Sequence, residues 1–103
     1  MSKEKFFRDN AKTFIINIAE TIHPMCQWAE ILDSERDGGT YSSIIVRDIE
    51  ANDYPKLITR NMIQRALQKL SFDELDRIEN HDYDWILCDK VLQLAYHKEV
   101  IYG

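Results

Sequence analysis

Five side chains in this sequence have the chemistry to bind a transition metal: His23, Cys26, His81, Cys88 and His97. Only His23 and Cys26 stand at the close spacing that structural zinc sites use, and a closed site needs four ligands. The two cysteines are therefore read as small apolar side chains, and no metal is expected. Acid–base chemistry has its own candidates in Glu79, His81 and Asp82. That chemistry needs a cleft that shifts a pKa and holds a substrate, which neighbours in a polar connector do not supply. No nucleophile elbow, phosphate loop, dinucleotide fingerprint or HExxH occurs. The chain is expected to be non-enzymatic and to carry no cofactor.

Two stretches resemble known binding motifs in part. Asp33-Ser34-Glu35-Arg36-Asp37-Gly38 is similar to the start of an EF-hand calcium loop. That loop ends in a bidentate glutamate at its twelfth position, where this chain has Ile44. Ile58 to Leu70 resembles the recognition helix of helix-turn-helix and winged-helix regulators, with Thr59 at its start and Arg60, Asn61, Gln64 and Arg65 along it. The resemblance implies a small DNA-binding regulator using residues 58–70, which is the alternative reading. Phosphate contacts supply much of nucleic-acid affinity, and acidic stretches on both sides oppose them, so direct nucleic-acid binding is not expected.

Charge is the stronger signal. The chain has a formal net charge of −5, distributed in blocks. Residues 30–53 carry −5, residues 54–70 carry +4 with no acid, and residues 71–90 carry −5 again. Complementary charge speeds the encounter with a basic partner, and aromatic side chains anchor it. The residues expected at a partner-binding surface are Asp33, Glu35, Asp37 and Tyr41 in the first block. In the second they are Asp73, Asp76, Glu79, Asp82, Tyr83 and Asp84. Tyr54 stands beside the first group.

The elements that position these residues are read from hydrophobic spacing. Phe7, Ala11, Phe14, Ile15, Ile18 and Ile22 mark an amphipathic helix over residues 4–22. His23-Pro24 interrupts it, and Pro24 is expected to open a second helix with Met25, Trp28, Ala29 and Leu32 inward. Gly38-Gly39 ends that unit. Residues 41–51 are read as helix from the spacing of Tyr41, Ile45 and Ile49, with a strand as the alternative because Ile44, Ile45 and Val46 are β-branched. A turn at residues 52–55 leads into a helix with Thr59, Met62, Ile63, Ala66, Leu67 and Leu70 as its inward stripe. Ser71 and Glu74 form a capping box for a short helix with Phe72, Leu75 and Ile78 inward. Residues 83–98 form the most apolar helix, with Asp82 as its cap. Asp89, Lys90, Gln93 and His97 fall within about 100° of its circumference and form its polar side.

The expected fold is all-α: a single helical domain over residues 1–103, an irregular bundle of five or six helices around an apolar C-terminal helix. A length of 103 residues with 45% hydrophobic and 30% charged content supports one packed core. No segment approaches the roughly 20 apolar residues of a membrane span, and no signal-like run opens the sequence, so a cytoplasmic protein is expected. The expected function is an acidic inhibitor of toxin-immunity or phage-inhibitor type that blocks a basic protein such as a nuclease. A homodimer through Tyr96, Val100, Ile101 and Tyr102 is a further possibility. Charge pattern does not choose between the two acidic blocks.

Overall fold

The stripe of Ala11, Phe14, Ile15 and Ile18 is where the core begins, and all four side chains are buried. The computed structural model describes residues 3–22 and 27–102. Helix α1 spans Lys3–Asn17 and continues as a π-helical turn over Ile18–Ile22. The wider turn keeps Ile18 in the core while Glu20 reaches the Tyr41 hydroxyl at 2.9 Å. The expected helix break at His23-Pro24 and the side chains of Ile22, Met25 and Cys26 lie outside the described residues.

The all-α expectation fails in the next segment. Strands β1 (Ala29–Asp37) and β2 (Thr40–Asp48) form an antiparallel hairpin, and β3 (Lys56–Thr59) adds to β2, giving the sheet order β1-β2-β3. The fold is mixed, with helices packed on a three-stranded antiparallel sheet. Ile44, Ile45 and Val46 behave as their β-branching demands, and Ile44 pairs with Ile58 inside the core. The four-residue spacing of Tyr41, Ile45 and Ile49 was coincidence: Tyr41 is buried and Ile49 is exposed. β1 is rich in Glu, Asp and Ser, which do not favour strands. It forms because Gly38, at φ +68, turns the chain straight back onto β2, so pairing overrides local preference. Two register shifts interrupt β1, between Ile31 and Asp33 and between Glu35 and Arg36.

β3 replaces the expected helix start. Thr59 ends the strand and caps α2 (Arg60–Leu67), its hydroxyl accepting the Met62 N–H at 3.3 Å. Ile63, Ala66 and Leu67 face the core as expected. The helix upstream that a helix-turn-helix requires is absent, because a strand occupies that place.

The capping box forms as read. Ser71 accepts the Glu74 N–H at 3.2 Å, and Glu74 accepts the Ser71 N–H at 2.9 Å. It opens α3 (Phe72–Glu79), in which only Ile78 is fully buried. Phe72 is 90% exposed, against the expectation that it faces inward. On the helix Phe72 lies about 120° from Ile78, and the Ile78 side is the one that faces the core.

α4 (Trp85–His97) is capped by Asp84, two residues beyond the expected Asp82. It is the central helix: Val91 through Tyr96 are all buried. Its orientation reverses one expectation. Gln93 is 1% exposed and His97 is largely buried, so that half of the supposed polar side faces inward while Asp89 and Lys90 are partly exposed, and Trp85 and Ile86 face outward. One hydrophobic cluster runs from Ala11 through Ile44, Ile58 and Leu67 to Leu92. No helix among the described residues is long and apolar enough to cross a membrane.

Candidate protein-docking site

Two concentrations of polar side chains invite a functional reading, and they differ in kind. The first lies where α4 meets β2. The Asp48 carboxylate is completely buried, which is costly unless it is paired. It accepts the Tyr102 hydroxyl at 2.7 Å and the Ala51 N–H at 2.9 Å. His97 Nε2 lies 2.8 Å away, at ion-pair distance, with its N–H direction too poorly aligned for a formed hydrogen bond. Burial alone would raise the Asp48 carboxyl, but Tyr102, Ala51 and His97 outweigh it and hold it below the ordinary value. The same contact pushes the Tyr102 hydroxyl up to about 12.

Around this pair the rings of Trp28, Tyr96 and Tyr102 all approach His97, with centroids 4.5 to 5.9 Å from it. Gln93 accepts the N–H groups of Ile101 and Tyr102 at 3.0 and 2.9 Å and donates to the Tyr102 carbonyl at 3.2 Å. Trp28 donates its ring N–H to Asp89. Apart from His97 Nε2 these groups satisfy one another, and the cluster clasps residues 101 and 102 against the sheet. Cys88 is equally inward. Burial pushes its thiol up to about 11, which keeps it protonated and a poor nucleophile. No group of three or more His, Cys, Asp or Glu among the described residues could hold a metal ion. His23 and Cys26 lie outside those residues.

The first acidic block is divided between paired, buried and exposed side chains, with Glu50 among the exposed ones. Glu30 pairs with Arg47 across β1 and β2 at 2.8 Å. Asp53 accepts the Tyr54 N–H at 3.1 Å. Asp33 is exposed and turns one oxygen onto the Ser34 N–H at 2.8 Å. Glu35 is exposed on the edge strand, and the side chain of Asp37 lies outside the described residues. The EF-hand-like stretch is strand and hairpin turn rather than an ion-binding loop. Tyr41 is 7% exposed, its hydroxyl bonded to Glu20 and Arg36, with the Arg36 guanidinium over its ring. That leaves little of its ring for a partner.

The second block is arranged differently. Within α3, Phe72 lies between Asp76 and Glu79 in an arc of about 60°, with Asp73 just beyond. Glu74 points the other way, to Lys90 at 2.7 Å. Burial would raise the Glu74 carboxyl, but Lys90 and the Ser71 cap outweigh it and hold it low. The side chains of Asp73, Asp76 and Glu79 are exposed, and their carboxylates have no partner among the described residues.

These residues rim a groove of about 970 Å³ between the first turns of α1 and the whole of α3. Phe6, Phe7, Leu70, Phe72 and Leu75 form its apolar surface, and Lys3 stands at the α1 side. Asp82 is exposed on the connection to α4, and its carbonyl accepts from Arg77 at 3.1 Å. Asp84 is committed to capping, accepting the Ile86 N–H at 3.1 Å. Tyr83 stacks on Phe14 at 5.1 Å and is half-buried.

The structure thus brings Asp73, Asp76 and Glu79 to one place and leaves Asp33 and Glu35 on another. Charge reading missed the apolar half of the site. Phe72 was read as inward, and Phe6 and Phe7 belong to a distant helix that no local pattern ties to α3. The Asp48–His97 pair was also missed, since neither residue stands in a local pattern. No family model, curated protein or solved structure matches this chain.

Proposed function

We propose that this chain is a non-enzymatic, protein-binding inhibitor of toxin-immunity or phage-inhibitor type, acting in the cytoplasm. It covers the basic surface of a partner such as a nuclease. The observation that carries this reading is the pairing of three unengaged carboxylates, Asp73, Asp76 and Glu79, with the exposed ring of Phe72. Interface energy concentrates in aromatic anchors set among polar groups, while charge steers the encounter. Phe72 continues an apolar surface with Phe6, Phe7, Leu70 and Leu75, and contiguous apolar patches rimmed by polar groups mark interaction sites.

Quantitative capture from fractionated extract tests the proposal, comparing the natural protein with an Asp73→Lys, Asp76→Lys, Glu79→Lys variant. The expected result is enrichment of basic proteins by the natural form and its loss in the variant. Equal enrichment by both forms, or recovery of nucleic acid as the main captured species, contradicts it.

A further inference from the structure

The groove itself restricts what can enter it. Its walls are two helices and the short connection before α3, where the Ser71 N–H is held by Glu74. No strand edge lines it. An extended peptide would therefore gain none of the main-chain hydrogen bonds that make strand addition favourable. Affinity must come from apolar side chains, and a groove of about 970 Å³ is wide enough for more than one of them. The flank is asymmetric. Asp73, Asp76 and Glu79 stand on the α3 side, and Lys3 stands opposite.

A second copy of this chain does not supply a matching segment. Among the described residues the helices of net positive charge are α1 and α2, and each has its apolar stripe, Ala11, Phe14 and Ile15 in one and Ile63, Ala66 and Leu67 in the other, buried in its own core, so neither can offer that stripe without unfolding.

We infer that the α1–α3 groove docks an amphipathic helix of the partner, with its apolar stripe against Phe72 and Leu75 and lysines or arginines along the flank facing Asp73, Asp76 and Glu79. This rests on the reading of the chain as a binder of basic proteins, and it names the segment that is bound. Helix-in-groove recognition uses anchors one turn apart, and the acids select the helix whose flanking charges are positive.

The test uses two synthetic peptides of identical leucine and lysine composition. In one the leucines repeat at helical spacing, and in the other they are redistributed so that no apolar face forms. Each is titrated against the full chain and followed by fluorescence anisotropy. The patterned peptide should bind at least about tenfold more tightly and gain helical circular dichroism on binding. Phe72→Ser should remove most of that preference. Phe72 is 90% exposed and sits after an intact capping box, so the variant should keep the natural far-ultraviolet spectrum. Equal binding of both peptides, mediated by charge alone, overturns the groove inference while leaving the basic-partner reading standing. Undiminished binding by Phe72→Ser, or no binding of either peptide, also overturns it.

Discussion

Residues 30–53 and 71–90 each carry seven acids against two basic side chains, yet the fold treats the two blocks differently. In the first, Glu30 is paired across the sheet, Asp48 is buried with His97 and Tyr102, and Asp53 bonds its neighbour's backbone, while Asp33, Glu35 and Glu50 stay exposed. In the second, Glu74 and Asp84 serve as local caps, while Asp73, Asp76 and Glu79 face solvent beside an apolar groove. The difference follows from secondary structure. A strand can set a charge against one on its neighbour, as Glu30 stands opposite Arg47. A short helix attached mainly through Ile78 leaves the rest of its circumference to solvent.

Substitutions should divide accordingly, with a large effect on stability at buried Asp48 and a small one at exposed Asp73, Asp76 and Glu79. The largest loss is expected from Asp48→Ala. Removing one partner from a buried charged cluster costs about 3–5 kcal/mol, a large part of a small domain's total stability. Urea denaturation measures it directly.

Acid should expose the same residue. The folded Asp48 carboxyl lies below its ordinary value of 3.8, so the native state favours its ionised form. Its contribution is fully present above pH 3.8 and is lost as pH falls through the lower folded value. Glu74 acts in the same direction, starting from an ordinary value of 4.5. Stability measured on the acid side should therefore decline less steeply in Asp48→Asn than in the natural protein. An identical slope would show that the buried pair does not matter.

Gln93→Leu comes next. It leaves the Ile101 and Tyr102 N–H groups without their acceptor, a loss of about 1–3 kcal/mol. Hydrogen exchange at those two amides should quicken first. Ser71→Ala removes one half of the capping box and should cost about 1 kcal/mol, seen as a lower denaturation midpoint. Triple charge reversal at Asp73, Asp76 and Glu79 should change stability least, within about 0.5 kcal/mol, as for surface positions away from packing or pairing. A large loss there would place these acids in the fold's own electrostatics and remove the contrast.

Much of the helical half of the fold was legible in local pattern. The stripes of α1 and α2, the capping box of α3 and the apolar character of α4 each depend on residues within a few turns. The sheet was not legible to the same degree. Ala29–Asp37 has the composition of a polar helix end and becomes a strand only through pairing with β2, a contact made possible by Gly38. The inward turn of Gln93 and His97 has a similar origin. Their polar arc is covered by Trp28, Asp48 and Tyr102, which come from far along the chain or beyond the helix end. Charge blocks were visible in sequence, but which of them stays free depended on those same distant contacts.

The most direct measurement of the central claim is a reciprocal charge swap. Asp33→Lys with Glu35→Lys alters the exposed part of the first block, and Asp73→Lys with Asp76→Lys and Glu79→Lys alters the second. Both variants are titrated with the patterned leucine–lysine peptide over a range of salt concentrations. The second swap should abolish most binding and flatten its salt dependence, while the first leaves both close to the natural protein. Equal losses from the two swaps, or a loss confined to the first, would contradict the assignment of partner binding to α3 and its groove.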